Sequence, residues 1–303
     1  MQQRFSRRSF FLSLAAFTLI AIFSRATRAA PIHVFGNTSQ YGTIDSETGV
    51  YSSLGRLTDS FTNASIPLSG FAFGADGNLY GVTGIDGPGE NGEGNYLWRF
   101  NPANGVSTDR RDLPVSLVTL ASRPSDGRLF GYSNDAEGNG SLFGFDLVTF
   151  APSLIGATGV VTFGALTFDD ANRLYLAHSF TGDIYRVNAD SGATTLFSAT
   201  GILGISGMAA IGDTLYTFST DARERHAVNL QTGAVSLLGT YGIGGNSGDD
   251  LIYGAAISPP PPSPAVVPEP ATGILFALAS VVGTALVVKR LRTLKRSGVS
   301  LRL

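Results

Sequence analysis

Residues 71–81 read FAFGADGNLYG, and the pattern returns as ASRPSDGRLFG at 121–131, LTFDDANRLY at 166–175 and, less clearly, MAAIGDTLY at 208–216. The aromatic residue after leucine in each copy is Tyr80, Phe130, Tyr175 or Tyr216, with spacings of 50, 45 and 41 residues. Such a period is typical of a four-stranded propeller blade. The dipeptides Asp76-Gly77 and Asp126-Gly127 predict tight primed hairpin turns, because both residue types tolerate a positive φ.

A second segment follows each copy, reading WRFNPANG at 98–105, LFGFD at 142–146, IYRVNADSG at 184–192 and AVNLQTG at 227–233. Alternating apolar residues that end in Asp or Asn before a turn predict further strands.

Incomplete copies stand at both ends of the domain, YGTIDSETG at 41–49 and DDLIYGAAI at 249–257. Joined, they make one blade and close the ring, which removes exposed sheet edges. We therefore predict an all-β fold over residues 30–257, a β-propeller of five blades that shares N- and C-terminal strands in one blade. A sixth blade is the alternative, if residues 52–69 contain extra strands.

The composition supports a turn-rich β domain and excludes several function classes. The chain has 303 residues, 38 of them glycine, and no cysteine. Disulfides, thiolate catalysis and cysteine-bound metals are therefore excluded. Residues 30–268 carry 10 basic and 22 acidic side chains, a net charge of −12. Such an acidic domain is a poor partner for a phosphate backbone, so we expect no nucleic-acid binding.

Residues 1–29 have the order of a signal peptide. Basic residues come first, an apolar run follows at 10–23, and small residues lead to Ala29, after which we expect cleavage. The segment SRRSFFL at 6–12 resembles the twin-arginine export signal, whose paired arginines are Arg7 and Arg8 here. That resemblance implies that the domain crosses the membrane already folded. An ordinary secretory signal with a chance arginine pair is the alternative.

The C-terminal end has three consecutive parts. Residues 258–266 form a proline-rich linker, which is stiff because consecutive prolines hold an extended conformation. The uncharged run 271–288 is about 27 Å long as a helix, enough for one transmembrane helix. A basic cluster then predicts that the tail 297–303 is cytoplasmic and that the acidic domain lies outside. The cluster consists of Lys289, Arg290, Arg292, Lys295 and Arg296.

Residues 267–296 closely resemble the PEP-CTERM sorting signal of exported bacterial proteins. Val267 precedes Pro268, Glu269 and Pro270, which match the recognition residues of that family, and the apolar run and basic cluster follow in the family's order. The resemblance implies an exosortase-type membrane processing enzyme as partner, which cuts near Pro268–Pro270. A plain C-terminal membrane anchor on a proline-rich stalk is the alternative.

The sequence offers no catalytic constellation. Its three histidines, His33, His178 and His226, show no metal-ligand or nucleophile spacing, so we predict no catalytic residue and no metal site. The oxygen-rich loops 86–95 and 134–140 fall between the same two strands of successive repeats and have the ligand types that calcium prefers. Their oxygen-bearing residues lack the ordered spacing of a calcium loop, so the favoured interpretation is that these are solvated acidic loops.

Two functions fit these observations. The first is an exported envelope or extracellular-matrix protein, anchored in the inner membrane at least transiently and then placed at the cell surface. Its propeller is a binding or scaffold module for polysaccharide or surface proteins. The second is a secreted lactonase- or lyase-like enzyme whose acidic residues meet in the central channel, with Asp169, Asp170, Asp183 and His178 as first candidates. The fold itself does not choose between them.

Overall fold

The computed structural model describes residues 31–83, 95–134, 139–146, 148–243 and 251–259. The chain divides into two compact units, Met1–Pro259 and Pro260–Leu303. The export residues Arg7 and Arg8, the sorting motif, the predicted transmembrane helix 271–288 and the basic cluster all lie outside the described residues, and they stay predictions. Within the described ranges no helix is long and apolar enough to cross a membrane.

The described residues form twenty β-strands. In chain order they are β1 (Ile32–Gly36), β2 (Gln40–Ile44), β3 (Tyr51–Arg56), β4 (Gly70–Phe73), β5 (Leu79–Thr83), β6 (Tyr96–Phe100), β7 (Ser107–Asp112), β8 (Thr119–Ser122), β9 (Leu129–Ser133), β10 (Ser141–Phe145), β11 (Pro152–Ala157), β12 (Leu166–Phe168), β13 (Leu174–Ala177), β14 (Asp183–Val187), β15 (Thr194–Ala199), β16 (Ile205–Ile211), β17 (Thr214–Ser219), β18 (Glu224–Asn229), β19 (Val235–Thr240) and β20 (Ile252–Ile257).

These strands make five antiparallel four-stranded sheets, which we number as blades. Blades 1 to 4 are β4–β7, β8–β11, β12–β15 and β16–β19, and blade 5 has the order β20, β1, β2, β3. The first strands of the blades contact one another in the cycle β4, β8, β12, β16, β20 and back to β4. They form a closed central ring, so the five-bladed propeller is confirmed. The alternative prediction of a sixth blade is wrong, because residues 52–69 contribute only β3 and isolated bridges at Thr58.

Blade 5 joins the two ends of the domain, as predicted. Its innermost strand β20 pairs with β1, and Ile32 lies opposite Ile257. The strand β1 carries no recognisable copy of the repeat, but its register places it beside the second strands of the other blades. Residues 31 and 258 therefore lie side by side, where the chain enters and leaves the propeller.

The hydrophobic core consists of five clusters, one between each pair of neighbouring blades. The cluster between blades 5 and 1, for example, contains Phe35 and Tyr41 from blade 5 and Phe71 and Trp98 from blade 1. Because strand side chains alternate between the two faces of a sheet, each blade supplies apolar residues to both neighbours. Each blade is consequently stabilised by both neighbours, and the ring is held together as a whole.

The turns between the first and second strands differ from the prediction. In blade 1 the Gly77 N–H donates to the Gly74 carbonyl and the Gly74 N–H to the Asn78 carbonyl, which encloses a three-residue loop. Gly77 is left-handed in that loop, with φ of 74°. Blade 2 has a longer loop still, so the predicted two-residue primed turns are wrong in both blades. Only blade 4 has a two-residue turn, where Ile211 pairs with Thr214 across Gly212.

Candidate binding surface

The propeller has two faces, which we define by their loops. Turns between the first and second strands of each blade lie on the lower face, and loops between the second and third strands lie on the upper face. The predicted enzyme residues are divided between them. Asp169 and Asp170 precede β13 on the lower face, whereas His178 follows β13 and Asp183 begins β14 on the upper face. The structure therefore does not bring these four residues together.

The two lower-face aspartates hold the fold in place. Asp169 is 1% exposed. Its carboxylate accepts hydrogen bonds from the Arg173 backbone N–H at 2.8 Å, the Arg173 Nε at 2.6 Å and the Tyr175 hydroxyl at 3.3 Å. Asp170 accepts from the Gly212 N–H of blade 4 at 3.2 Å. Asp169 orders its own hairpin and Asp170 ties blade 3 to blade 4.

Two of the histidines, His33 and His226, are packed within the blades. His33 Nδ1 lies 2.9 Å from the Tyr41 hydroxyl, which itself donates to the Pro102 carbonyl of blade 1. Burial lowers the pKa of His33 to about 4, so the ring is neutral near pH 7. Burial also lowers the pKa of His226, which lies 3.4 Å from Glu224. Both residues are parts of the packed blades.

The described residues contain no group of three or more histidine, aspartate or glutamate side chains that is arranged to hold a metal ion. The two loops considered for calcium connect β5 with β6 and β9 with β10, so their equivalent position in successive blades is confirmed. All of their acidic residues fall at 84–94 and 135–138, outside the described ranges. The calcium hypothesis stays a prediction.

A cluster of exposed rings stands out on the upper face of blade 3. Phe180 is 66% exposed and Phe163 is 46% exposed. Their ring centroids are 6.1 Å apart in an edge-to-face arrangement, and His178 lies 6.0 Å from Phe180. We call Phe163, His178 and Phe180 the aromatic patch. Exposed aromatic residues that contact one another are informative, since scattered single apolar residues are normal on a surface.

Phe163 is held on a rigid support. It lies on the segment 158–165 that crosses from blade 2 to blade 3, next to the fully buried Thr162. The Thr162 hydroxyl accepts from the Gly164 and Ser179 N–H groups, each at 2.9 Å, and donates to the Ala177 carbonyl at 3.1 Å. Its backbone N–H donates to Asn134 Oδ1 at 3.0 Å. Thr162 therefore fixes the backbone on both sides of Phe163.

Phe180 lies in a tight turn that ends at Asp183. The His178 N–H donates to the Asp183 carbonyl at 2.7 Å and the Gly182 N–H to the His178 carbonyl at 2.9 Å. The Phe180 N–H donates to His178 Nδ1 at 3.3 Å, so in the neutral ring the proton is on Nε2. The Thr181 hydroxyl donates to Asp183 Oδ2 at 2.9 Å. One turn thus presents a ring, an imidazole and a carboxylate.

A third loop completes this surface. The Gly204 N–H donates to the Ser179 carbonyl at 2.6 Å, and Ser219 Oγ donates to the Leu203 carbonyl at 2.6 Å. Leu203 is half exposed between these two anchors. Loops from blades 2, 3 and 4 therefore form one hydrogen-bonded platform under the aromatic patch.

The platform lies on the face opposite residues 31 and 258, where the chain enters and leaves the propeller. The inner strands run in one direction, from the upper face to the lower face. Ser206 Oγ near the start of β16 donates to the Ile252 carbonyl at the start of β20. The far end of β20, Ile257, and its partner Ile32 therefore lie on the lower face. The aromatic patch therefore lies on the face opposite residues 31 and 258.

Sequence reasoning singled out His178 and Asp183 as candidates for catalysis in a central channel, and it missed Phe163 and Phe180. The two phenylalanines are 17 residues apart, in connections that are not part of the repeat. A usable signal was their position just outside the strands, since apolar residues in a loop that needs none for packing are candidates for binding.

No protein-family model matches the chain, and no curated protein matches it in sequence. Several solved structures have a similar fold. A chain of the nidogen/laminin complex is 14% identical, with a TM-score of 0.48, over 75% of this chain and 98% of that chain. A catalytically inactive virginiamycin B lyase from Staphylococcus aureus with quinupristin is 13% identical, with a TM-score of 0.43, over 72% of this chain and 71% of that chain. Glutaminyl cyclase from Myxococcus xanthus is 15% identical, with a TM-score of 0.41, over 63% of this chain and 70% of that chain. All three TM-scores are below 0.5, and the five-bladed fold rests on the strand pairings of this chain itself.

Proposed function

We propose that this protein is an exported envelope or extracellular-matrix protein whose propeller is a binding module. The observation that carries the binding role is the aromatic patch on its hydrogen-bonded platform. Ligand sites are typically preformed surfaces with apolar and aromatic walls and a few placed polar groups. The rings of Phe163 and Phe180 beside His178 and Asp183 have that composition.

The platform reduces the cost of binding. Ordering a side chain or loop on association costs about 0.5–1.5 kcal/mol for each immobilised group. The backbone around Phe163 and Phe180 is already fixed by Thr162 and by the turn 178–183. An exposed ring on a fixed loop therefore contributes most of its contact energy to a partner.

The two end segments are the basis for the proposed localisation of the protein. The arginine pair Arg7-Arg8 before an apolar run supports export, and Pro268-Glu269-Pro270 before an apolar run and basic cluster supports exosortase processing. Both segments join the propeller on its lower face, because Ile32 and Ile257 are cross-strand partners there. In this proposal the aromatic patch, on the opposite face from Ile32 and Ile257, meets polysaccharide or proteins outside the cell.

The experiment follows the full-length chain in a bacterium that has an exosortase. We expect the wild-type chain to be shortened at its C-terminal end and to reach the cell surface. Replacement of Pro268, Glu269 and Pro270 by alanine is expected to leave a full-length product in the inner membrane. Replacement of Pro260–Pro262 by alanine is the matched control, since it changes the linker and spares the motif. Identical processing of the motif variant and the wild type contradicts the sorting role.

A further inference from the structure

We infer that the aromatic patch binds a neutral polysaccharide, with sugar rings packed on Phe163 and Phe180 and sugar hydroxyls bonded to His178 and Asp183. This inference rests on the proposed binding function and names the ligand class of that same surface. It requires a stacking surface, polar groups of the right kind beside it, and a suitable charge.

The stacking surface is provided by the two phenylalanines. One face of a pyranose ring presents mainly C–H groups, which carry a small positive charge, and the face of an aromatic ring is negative. Phe180 is 66% exposed and Phe163 is 46% exposed, so both have free ring surface. The edge-to-face contact at 6.1 Å holds the rings at a fixed mutual angle of 86°. Two successive units of a chain-like ligand can contact such a pair.

The polar groups match hydroxyl ligands. The bond from the Phe180 N–H to His178 Nδ1 leaves the Nε2–H of the neutral ring as a donor. The Asp183 carboxylate accepts through Oδ2 from the Thr181 hydroxyl at 2.9 Å and from the Tyr185 hydroxyl at 3.4 Å. Within the described ranges both side-chain hydrogen bonds of Asp183 are on Oδ2, and its Oδ1 can accept a sugar hydroxyl. A hydroxyl bonded to a carboxylate is one of the stronger hydrogen bonds in proteins.

Charge selects among polysaccharides. Residues 30–268 carry a net charge of −12, and the turn 178–183 adds the carboxylate of Asp183 without a lysine or arginine. A polyanionic chain is repelled by such a surface. A neutral polysaccharide is not repelled by this charge, and stacking and the hydrogen bond to the carboxylate still stabilise its complex.

A protein partner fits this surface less well. Specific protein interfaces bury about 800 Å² per partner around an apolar centre that is depleted of charged residues. The aromatic patch consists of two phenylalanines and a histidine, and the acidic Asp183 lies in the same turn as Phe180. Small repeating units with both apolar faces and hydroxyls are better matched.

The test measures binding of the full-length chain, purified in detergent and immobilised, to dextran, mannan and hydroxyethyl cellulose. Alginate serves as the anionic comparison. We expect at least one neutral polysaccharide to bind and alginate not to bind. F180A and F163A are each expected to weaken binding about tenfold, since one ring contact is worth about 1.4 kcal/mol. F180W is expected to retain binding, because a larger ring keeps the stacking surface. D183N is expected to weaken it by a smaller factor.

The matched control is F61A. Phe61 is 96% exposed, and it lies on the connection between β3 and β4, which joins blades 5 and 1, whereas the aromatic patch belongs to blade 3. Its loss is expected to leave binding unchanged, and thermal unfolding of every variant shows whether the fold is retained. Absence of binding to all three neutral polysaccharides overturns the inference. Equal binding by F180A and wild type also overturns it, and so does capture of a surface protein through the patch without any polysaccharide binding.

Failure of this inference is distinguishable from failure of the proposed function. F180A changes no residue of the end segments, so it is expected to be exported and processed like the wild type. A protein that is processed but binds no neutral polysaccharide contradicts the proposed ligand class alone. A protein that binds polysaccharide but is not processed contradicts the proposed sorting role alone.

Discussion

At the scale of single residues, His33 replaces an aromatic residue of the repeat. The position after the buried leucine holds Tyr80, Phe130, Tyr175 and Tyr216 in blades 1 to 4, and the register of β1 places His33 there in blade 5. Its ring packs edge-on against Phe73 with centroids 4.8 Å apart. The histidine thus fills an aromatic site, and burial there disfavours its protonated form.

This position makes stability depend on pH. Burial lowers the pKa of His33 to about 4 in the folded chain, against about 6.5 when unfolded. Between these values the unfolded chain binds the proton and the folded chain does not. The full stability is therefore present above about pH 6.5 and is lost as the pH falls toward 4. We expect His33→Phe to reduce the stability lost between pH 7.5 and 4.5 by about 2 kcal/mol.

The measurement is the free energy of unfolding in urea, followed by the fluorescence of the buried Trp98, the one tryptophan of the chain. His226 also has a pKa lowered by burial, and it is present in both proteins, so its contribution cancels in the comparison. The same loss of stability in wild type and variant would show that His33 is already solvated in the folded state.

At the scale of elements, one turn is repeated in all five blades between the third and fourth strands. A side-chain oxygen of Asp or Asn caps the turn by accepting N–H groups two or three residues later. The capping residues are Asp45, Asn101, Asp146, Asn188 and Asn229. Each turn ends in a left-handed residue, Gly49, Gly105, Phe150, Gly192 and Gly233. Four of the five are glycine, because a Cβ is disfavoured at positive φ.

Gly192 is required for a second reason, which makes it a sharp test of how blades join. A Cβ at Gly192 meets the Gly156 carbonyl oxygen of blade 2 at 2.7 Å, and its φ is 77°. Gly77 has nearly the same φ, 74°, and a Cβ there meets nothing within 4 Å. We expect Gly77→Ala to cost about 1–2 kcal/mol from backbone strain alone. Gly192→Ala should cost roughly 1–3 kcal/mol more, since the backbone of blade 2 has to move.

Urea unfolding of the two variants checks this expectation, with Gly77→Ala as the matched control. Equal destabilisation would mean that the two blades separate freely at this turn. An intermediate in the unfolding of Gly192→Ala alone would instead show that blade 3 has lost its coupling to blade 2.

The repeat was enough to predict the blades, the ring and its closure. Each strand and turn of the repeat is determined by residues that are close together in the sequence, so its pattern can be recognised there. It was insufficient where long-range contacts decide. The strand β1 was missed, since its sequence IHVFG does not resemble the repeat. It pairs locally with β2 and, more than 200 residues away, with β20, which makes it the second strand of blade 5. The turn type at Asp76-Gly77 was wrong, because the Asp76 carboxylate bonds Asn78, Tyr80 and Arg99 and so favours a wider loop. Phe163 and Phe180 come together only through the packing of blades 2 and 3.

At the scale of the whole molecule, the ring closes only when β20 joins β1. The buried Ile252 and Ala255 of β20 pack in the cluster between blades 4 and 5 with Phe218. Arg225 of blade 4 is buried and donates to the Ser46 and Glu47 carbonyls of blade 5. These contacts require both ends of the domain, so folding has to wait until residue 257 has been made.

This dependence predicts the behaviour of two truncated chains. A chain that ends at Pro259 keeps all twenty strands, and we expect it to unfold in one cooperative transition with Trp98 buried beforehand. A chain that ends at Asp250 lacks β20, which exposes the inner edge of β1 and the apolar surface of blades 4 and 1. We expect it to lack that transition and to aggregate.

The same pair tests the export route. A twin-arginine signal passes folded domains, so in cells the chain ending at Pro259 should be exported and the chain ending at Asp250 should stay in the cytoplasm. Lysine at both Arg7 and Arg8 is the control that should retain both chains. Export of the chain ending at Asp250 would favour the ordinary secretory signal, because that route passes unfolded chains. A cooperative transition in the purified chain ending at Asp250 would contradict the role of β20 in closing the ring, whichever route is used.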